Sequence, residues 1–379
     1  MLLIKNAETY APEYLGKKDI LTGGGAILAI ADRLSDIEGA EIIDADSKWV
    51  FPGFIDQHVH VTGAGGKNGF VSMTPELTAS ELAVCGTTTV VGLLGTDGAA
   101  RSIKTLYAKV KALEQQGLTA YMYTGYYGVD PVHILDSIQE EMIFIDKVLG
   151  CKIAISDVRS SYPTDLELLR ILKQVRVGGM IASKKGIMHI HLGGLKTCMD
   201  PLFRMVEDYE FPIEHISPTH VGRTKTIFES AKAFAKMGGM IDITTGASKY
   251  TDPHLSVLEA INEGVSIDKI TFSSDGNAGL EKRDASGKVI GLRRAPVDQN
   301  YAEVVALIRE GSLSVSDAIK PITLNPAINL GLKQKGRIAV GADADFCFVD
   351  PSNFELTDLI GRGEVLKKNG NVTINEPFS

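Results

Sequence analysis

FPGFIDQHVH, residues 51–60, is the stretch on which the reading of this chain turns. It places a short apolar run, residues 54–60, directly before two histidines spaced by two. Side chains alternate across a strand, so His58 and His60 share one face at the end of a first strand. Working outward, residues 1–52 are β-like, with LLIKNAETY, ILTGGGAILAIAD and AEIIDADSKWVF broken by Gly and Asp. From residue 54 onward strands alternate with helical stretches. Strand candidates recur at 54–60, 87–94, 119–127, 151–157, 186–193, 216–222, 240–246 and 270–277. Between them, SIKTLYAKVKALEQQG and TIFESAKAFAKMGG carry apolar residues at helical spacing and end in Gly. Eight β-then-α units predict an α/β chain, a (β/α)8 TIM barrel over residues 53–332. SLSVSDAIKPITLNPAINLGL (312–332) reads as helix and loop, after which β character returns. The chain ends, residues 1–52 and 333–379, are expected to meet as one small β-sandwich domain.

The 379 residues carry a formal net charge of −8, which argues against a phosphate-binding surface and a nucleic-acid partner. No run of about 18 apolar residues predicts a membrane span. The apolar stretch at the start is too short for a signal peptide. Cys85, Cys151, Cys198 and Cys347 lie far apart without CxxC spacing, so reduced, buried thiols and a cytoplasmic location are expected.

Barrel chemistry sits where strands pass into the βα loops. His58 and His60 end the first strand, His191 the fifth, His220 the sixth and Asp275 the eighth. Imidazole and carboxylate are the donors that zinc and related ions take. Four His and one Asp exceed what one tetrahedral ion with an open water position needs, so two divalent ions are expected. An anionic bridge between them is then required, and Asp157, Asp242 and Lys152 are candidates. Lys152 begins its strand candidate rather than ending it. His189 is read as structural, and His133, His215 and His254 as helix or loop residues.

FPGFIDQHVH and GADADFCFVD (341–350) resemble the opening metal motif and the returning strand of the amidohydrolase superfamily. VVGLLGTD (90–97), CKIAISDVRS (151–160), PTHVGR (218–223) and SSDGN (273–277) are more specifically similar to the isoaspartyl dipeptidase family. The resemblance runs from about residue 10 to 370. It implies that His58 and His60 ligate one metal and His191 and His220 the other. Lys152 would be carboxylated and bridge both ions, its long side chain reaching them from further back. Asp275 would complete the metal set and act as general base and acid. Tyr127 would polarise the scissile carbonyl. Arg159 and Arg223 would hold a substrate carboxylate, and Thr96 and Gly65 would contact the substrate. Two positions depart from the family. Its amine-binding glutamate is matched by Lys67 in VTGAGGKNG, and its serine after SSDGN by Gly279.

The resemblance therefore implies a binuclear-metal hydrolase, zinc first among its ions, cleaving β-aspartyl dipeptides by attack of a bridging hydroxide. A homo-oligomer is implied as well. Because Lys67 and Gly279 replace substrate-binding residues, an amidohydrolase acting on an N-substituted or cyclic amide of a small acid is the alternative. A metal-free structural homologue is the third reading, and it is disfavoured because all six ligand positions are kept. The expected partner is a dipeptide or other small molecule with a carboxylate.

Overall fold

The computed structural model describes residues 1–66, 68–247, 249–310 and 313–377, with only the backbone of Arg283. Eight parallel strands follow one another in chain order around a barrel. They are β1 (Phe54–Val59), β2 (Thr87–Gly92), β3 (Thr119–Gly125), β4 (Val148–Ile155), β5 (Ile187–Leu192), β6 (Ile216–Thr219), β7 (Ile241–Thr244) and β8 (Ile270–Ser273). The ring closes beyond β8, where His60 N donates to Gly276 O at 2.9 Å and Val59 bridges Gly276. The strands are buried along their whole length. β3 is the one exception, with Tyr121 half-buried. Burial on both faces is the reason that they read as near-continuous apolar runs.

A helix follows each strand: α1 (Ala79–Val84), α2 (Ile103–Gln115), α3 (Ile138–Phe144), α4 (Asp165–Ile181), α5 (Asp200–Glu207), α6 (Lys225–Lys236), α7 (Pro253–Asn262) and α8 (Gln299–Arg309). Both helices foreseen in sequence are present. Ser102 caps α2 by accepting from Thr105 N, and Thr224 caps α6 by accepting from Ile227 N. α2 buries Ile103, Leu106, Val110 and Leu113 on one stripe, each contributing about 1.5–3 kcal/mol over exposure.

Several strand boundaries differ from the sequence expectation. β4 begins at Val148, not Cys151, because Val148, Leu149 and Gly150 already pair with β3 or β5 or pack into the core. Lys152 is therefore a mid-strand residue. The later strands also stop early, at Thr219, Thr244 and Ser273, so His220 and Asp275 stand in the loops just beyond. An exposed antiparallel hairpin, Gly279–Arg283 with Val289–Arg294, follows β8 and had no counterpart in the sequence reading.

The chain ends pair into one nine-stranded sheet. Its seam is strand Trp49–Pro52 antiparallel to Phe346–Val349. A core of its own, including Ile4, Ile20, Val50, Phe346, Phe348 and Ile360, lies apart from the main core of the barrel. At Gly53, between the sheet and β1, a Cβ would stand 2.1 Å from Thr88 Oγ1 and 2.8 Å from Asp345 Cβ. No side chain fits that crossing.

Candidate metal centre

His58, His60, Lys152, His191, His220 and Asp275 all come together at the mouth of the barrel, each buried. His58 Nε2 and His60 Nε2 face Asp275 Oδ1 at 3.2 and 3.3 Å. His58, His220 and Asp275 each offer a ligand atom within 4.8 Å of one another. The His191 and His220 rings lie 4.6 Å apart. Backbone strain accompanies this convergence. His220 and Asp275 adopt left-handed φ of 62° and 51°, a region that non-glycine residues enter where surrounding structure enforces it.

Electrostatics set the protonation states that a metal needs. Burial pushes the His58 pKa down to about 3, with the Lys152 charge adding to it. Burial likewise holds His191 and His220 well below the usual imidazole range. Burial alone would raise Asp275, but the surrounding imidazoles, His220 foremost, hold its carboxyl well below the usual range. His58, His191 and His220 thus favour the neutral imidazole and Asp275 the carboxylate. Among the described residues, His60 Nδ1 is buried without a hydrogen-bond partner. This donor set fits divalent ions.

Lys152 is fully buried, and its Nζ lies 3.3 Å from His58 Nε2. Burial pushes its pKa down to about 7. Among the described residues it makes no ion pair, and a buried ammonium without a counterion is expensive. The two aspartates weighed beside it are committed elsewhere. Asp242 accepts from Gln57, Thr271, Thr219 and Ser273 deep in the barrel. Asp157 grips Arg159 through two bonds and receives His191 Nε2 at 2.8 Å.

A cavity of about 240 Å³ opens over the cluster. His60, Tyr127, Arg159, His191, Arg223 and Asp275 line it, together with Gly65, Thr96, Gly279 and Leu280. The Tyr127 hydroxyl is 2.7 Å from His191 Nδ1, and burial raises its pKa, so it stays a proton donor. Arg223 Nη1 donates to Leu192 O at 2.9 Å, while its Nε is buried and has no partner among the described residues. A Cβ on Gly279 would meet only Gly65 Cα, at 3.3 Å. Lys67 lies outside the described residues.

Several contacts escaped the sequence reading. His189 was read as structural, and the contact that the reading did not foresee is that of its Nε2 with His58 Nδ1 at 2.9 Å. The signal was present, since His189 and His191 stand two apart on one strand and so share a face. Asp157 stands two residues before Arg159, and Thr244 Oγ1 lies 2.6 Å from His220 Nδ1. His215 is buried against Gly186 O, and His254 pairs with Glu303, both away from the cluster.

The amidohydrolase family model matches residues 49–374. The structure of a β-aspartyl dipeptidase from Fervidobacterium islandicum AW-1, in complex with β-Asp-Leu dipeptide, is 42% identical. That match covers 100% of this chain and 99% of the other, with a TM-score of 0.92. A second structure of a β-aspartyl dipeptidase from that organism is 41% identical over 100% and 99% of the two chains, with a TM-score of 0.91. An L-hydantoinase from Paenarthrobacter aurescens is 34% identical over 90 residues, which span 24% of this chain and 19% of that protein. With a matching fold over its full length and a buried His/Asp cluster at the barrel mouth, the chain belongs to the amidohydrolase family, hydrolases of amide bonds that generally use divalent metals.

Proposed function

We propose that this chain hydrolyses the β-aspartyl amide bond of dipeptides with two divalent ions held by His58, His60, His191, His220, Asp275 and Lys152. The observation that carries the reading is the convergence of buried imidazoles and Asp275 above a buried Lys152 that, among the described residues, makes no ion pair. Likeness at 42% identity to a β-aspartyl dipeptidase supports the substrate class. Zinc is the first choice for this donor set. Lys152 as a carbamate would relieve the unpaired buried ammonium and supply the anionic bridge that neither Asp157 nor Asp242 is free to give. Bound ions supply Lewis acidity and lower the pKa of water.

The remaining work falls to this chain's side chains. Asp275, kept ionised, takes a proton from the attacking water and returns it to the leaving amine. Tyr127, kept protonated, donates to the oxygen of the scissile carbonyl as charge develops. Arg159 and Arg223 present planar donors to a substrate carboxylate. Thr96, Gly65 and Gly279 shape the space around the substrate.

One observation favours a second specificity. Among the described residues lining the cavity, Asp275 is the one carboxylate, which leaves no other acid there for a free ammonium. An N-substituted or cyclic amide of a small acid suits such a site. Parallel assays on β-Asp-Leu and its N-acetyl form decide between the two readings. Preference for the free dipeptide upholds dipeptidase action, and preference for the blocked form replaces it. A homo-oligomer in the cytoplasm belongs to the same reading, supported by the family resemblance and four unpaired cysteines. Among the described residues, no helix is long and apolar enough to cross a membrane.

A further inference from the structure

Beneath the candidate metal centre runs a buried chain of hydrogen bonds that none of the steps above uses. We infer that His189 is a positioning residue that fixes which nitrogen of His58 faces the ions. The inference rests on reading His58 as a ligand. His189 is fully buried, and its ring stacks on Tyr123 at 4.7 Å and 14°. Its Nε2 lies 2.9 Å from His58 Nδ1, and its Nδ1 lies 3.2 Å from Ser217 Oγ. Asn329 Nδ2 donates to Ser217 Oγ and to Gln57 Oε1, both at 2.9 Å. Gln57 Nε2 in turn donates to Asp242 Oδ1 at 2.8 Å.

The Asp242 end sets the direction of these bonds as far as Ser217, and a ligating His58 Nε2 sets it from there. The Asp242 carboxylate accepts, so Gln57 must turn its amide nitrogen there and its oxygen toward Asn329. Asn329 must then present its nitrogen, and Ser217 Oγ is an acceptor on that side. A hydroxyl oxygen has a second lone pair, which can take the His189 Nδ1 proton. His189 Nε2 is then a bare acceptor, ready for a proton on His58 Nδ1. His58 with its proton on Nδ1 has its lone pair on Nε2, the nitrogen that faces Asp275. A ligating imidazole generally donates its other N–H to such a partner, and losing the partner costs about 10–100-fold in metal affinity. Here the partner is a second histidine, backed by an uncharged relay.

The test uses zinc and the full chain. In zinc-loaded protein labelled with ¹⁵N-histidine, His189 is expected as the Nδ1–H tautomer. Zinc affinity is read by chelator competition. His189→Phe keeps the ring stack but loses the acceptor, and is expected to weaken one zinc about 10–100-fold. His189→Gln can offer Oε1 to His58 and is expected to recover most of that loss. An Nε2–H tautomer of His189 in the loaded wild type would overturn the inference without any variant. So would equal zinc affinity in wild type and His189→Phe, or equal losses in the Phe and Gln variants. Wild-type protein that takes up no zinc would instead overturn the metal reading itself, and this inference with it.

Discussion

Lys152 is level with His189, not with His191: across β4 and β5 the paired Cα atoms are Lys152 with His189 and Ala154 with His191. The lysine therefore starts two residues, about 6.6 Å, below the level of a proposed ligand. Only a long side chain would reach ions held there, and a carbamate would lengthen it further. Lys152→Ala is expected to abolish turnover and bound metal, with partial rescue by short carboxylic acids. Lys152→Glu supplies the charge but ends its carboxylate well short of the carbamate position, so it should stay inactive. Near-normal metal content in Lys152→Glu would remove the argument from reach.

Asp275→Asn should remove nearly all turnover. The amide cannot shuttle a proton and is a poorer metal donor. Loss of general acid–base action costs about 10²–10⁴-fold, and disturbing the ions adds to it. Steady-state kcat beside metal analysis checks this. Full metal with near-normal kcat would assign the base to another residue.

Arg159 is held by Asp157 in a fork, Nε to Oδ1 at 2.9 Å and Nη2 to Oδ2 at 2.6 Å. That carboxylate keeps the guanidinium at the cavity wall, beside Tyr127. Replacing Arg159 or Arg223 with Met should lower kcat/KM on acidic substrates by the equivalent of about 2–5 kcal/mol while metal stays bound. Equal cleavage of neutral amides by the wild type would show that neither arginine reads a carboxylate.

Away from the site, Lys232 on α6 is buried among Glu229, Glu259 and Glu263. Burial alone would lower its pKa, but bonds to these three carboxylates, Glu259 first, raise it. The hydrogen bond from Lys232 lowers that of Glu259 in turn. The lysine's contribution is full below its unfolded value near 10.5 and is lost as pH rises through the folded one. The glutamate's is present above its unfolded value of 4.5 and is lost as pH falls. Lys232→Met should thus cost about 1–3 kcal/mol at neutral pH, less than a fully buried pair because the carboxylates are half exposed. Thermal melts should show the gap from wild type narrowing toward pH 4. A gap that is constant from pH 4 to 8 would mean packing alone.

The sequence by itself determined the barrel and most of the candidate ligand positions at its mouth. Buried parallel strands read as apolar runs, and the HxH pair, His191, His220 and Asp275 stand at or just past the ends of such runs, where position along the chain equals position at the mouth. Lys152 was a candidate bridge beside Asp157 and Asp242, and only the resemblance singled it out, since its strand start was misplaced by three residues that pair or pack without strong local signal. The partners of these groups were decided by the tertiary structure. His58 meets His189 across 131 residues, and Gln57 meets Asn329 across 272. Asp157 and Asp242 look alike in sequence, yet one faces an arginine at the mouth and the other sits among hydroxyls inside. Local pattern fixes which face a side chain takes. What it meets there depends on the register between strands, which exists only once the barrel has closed.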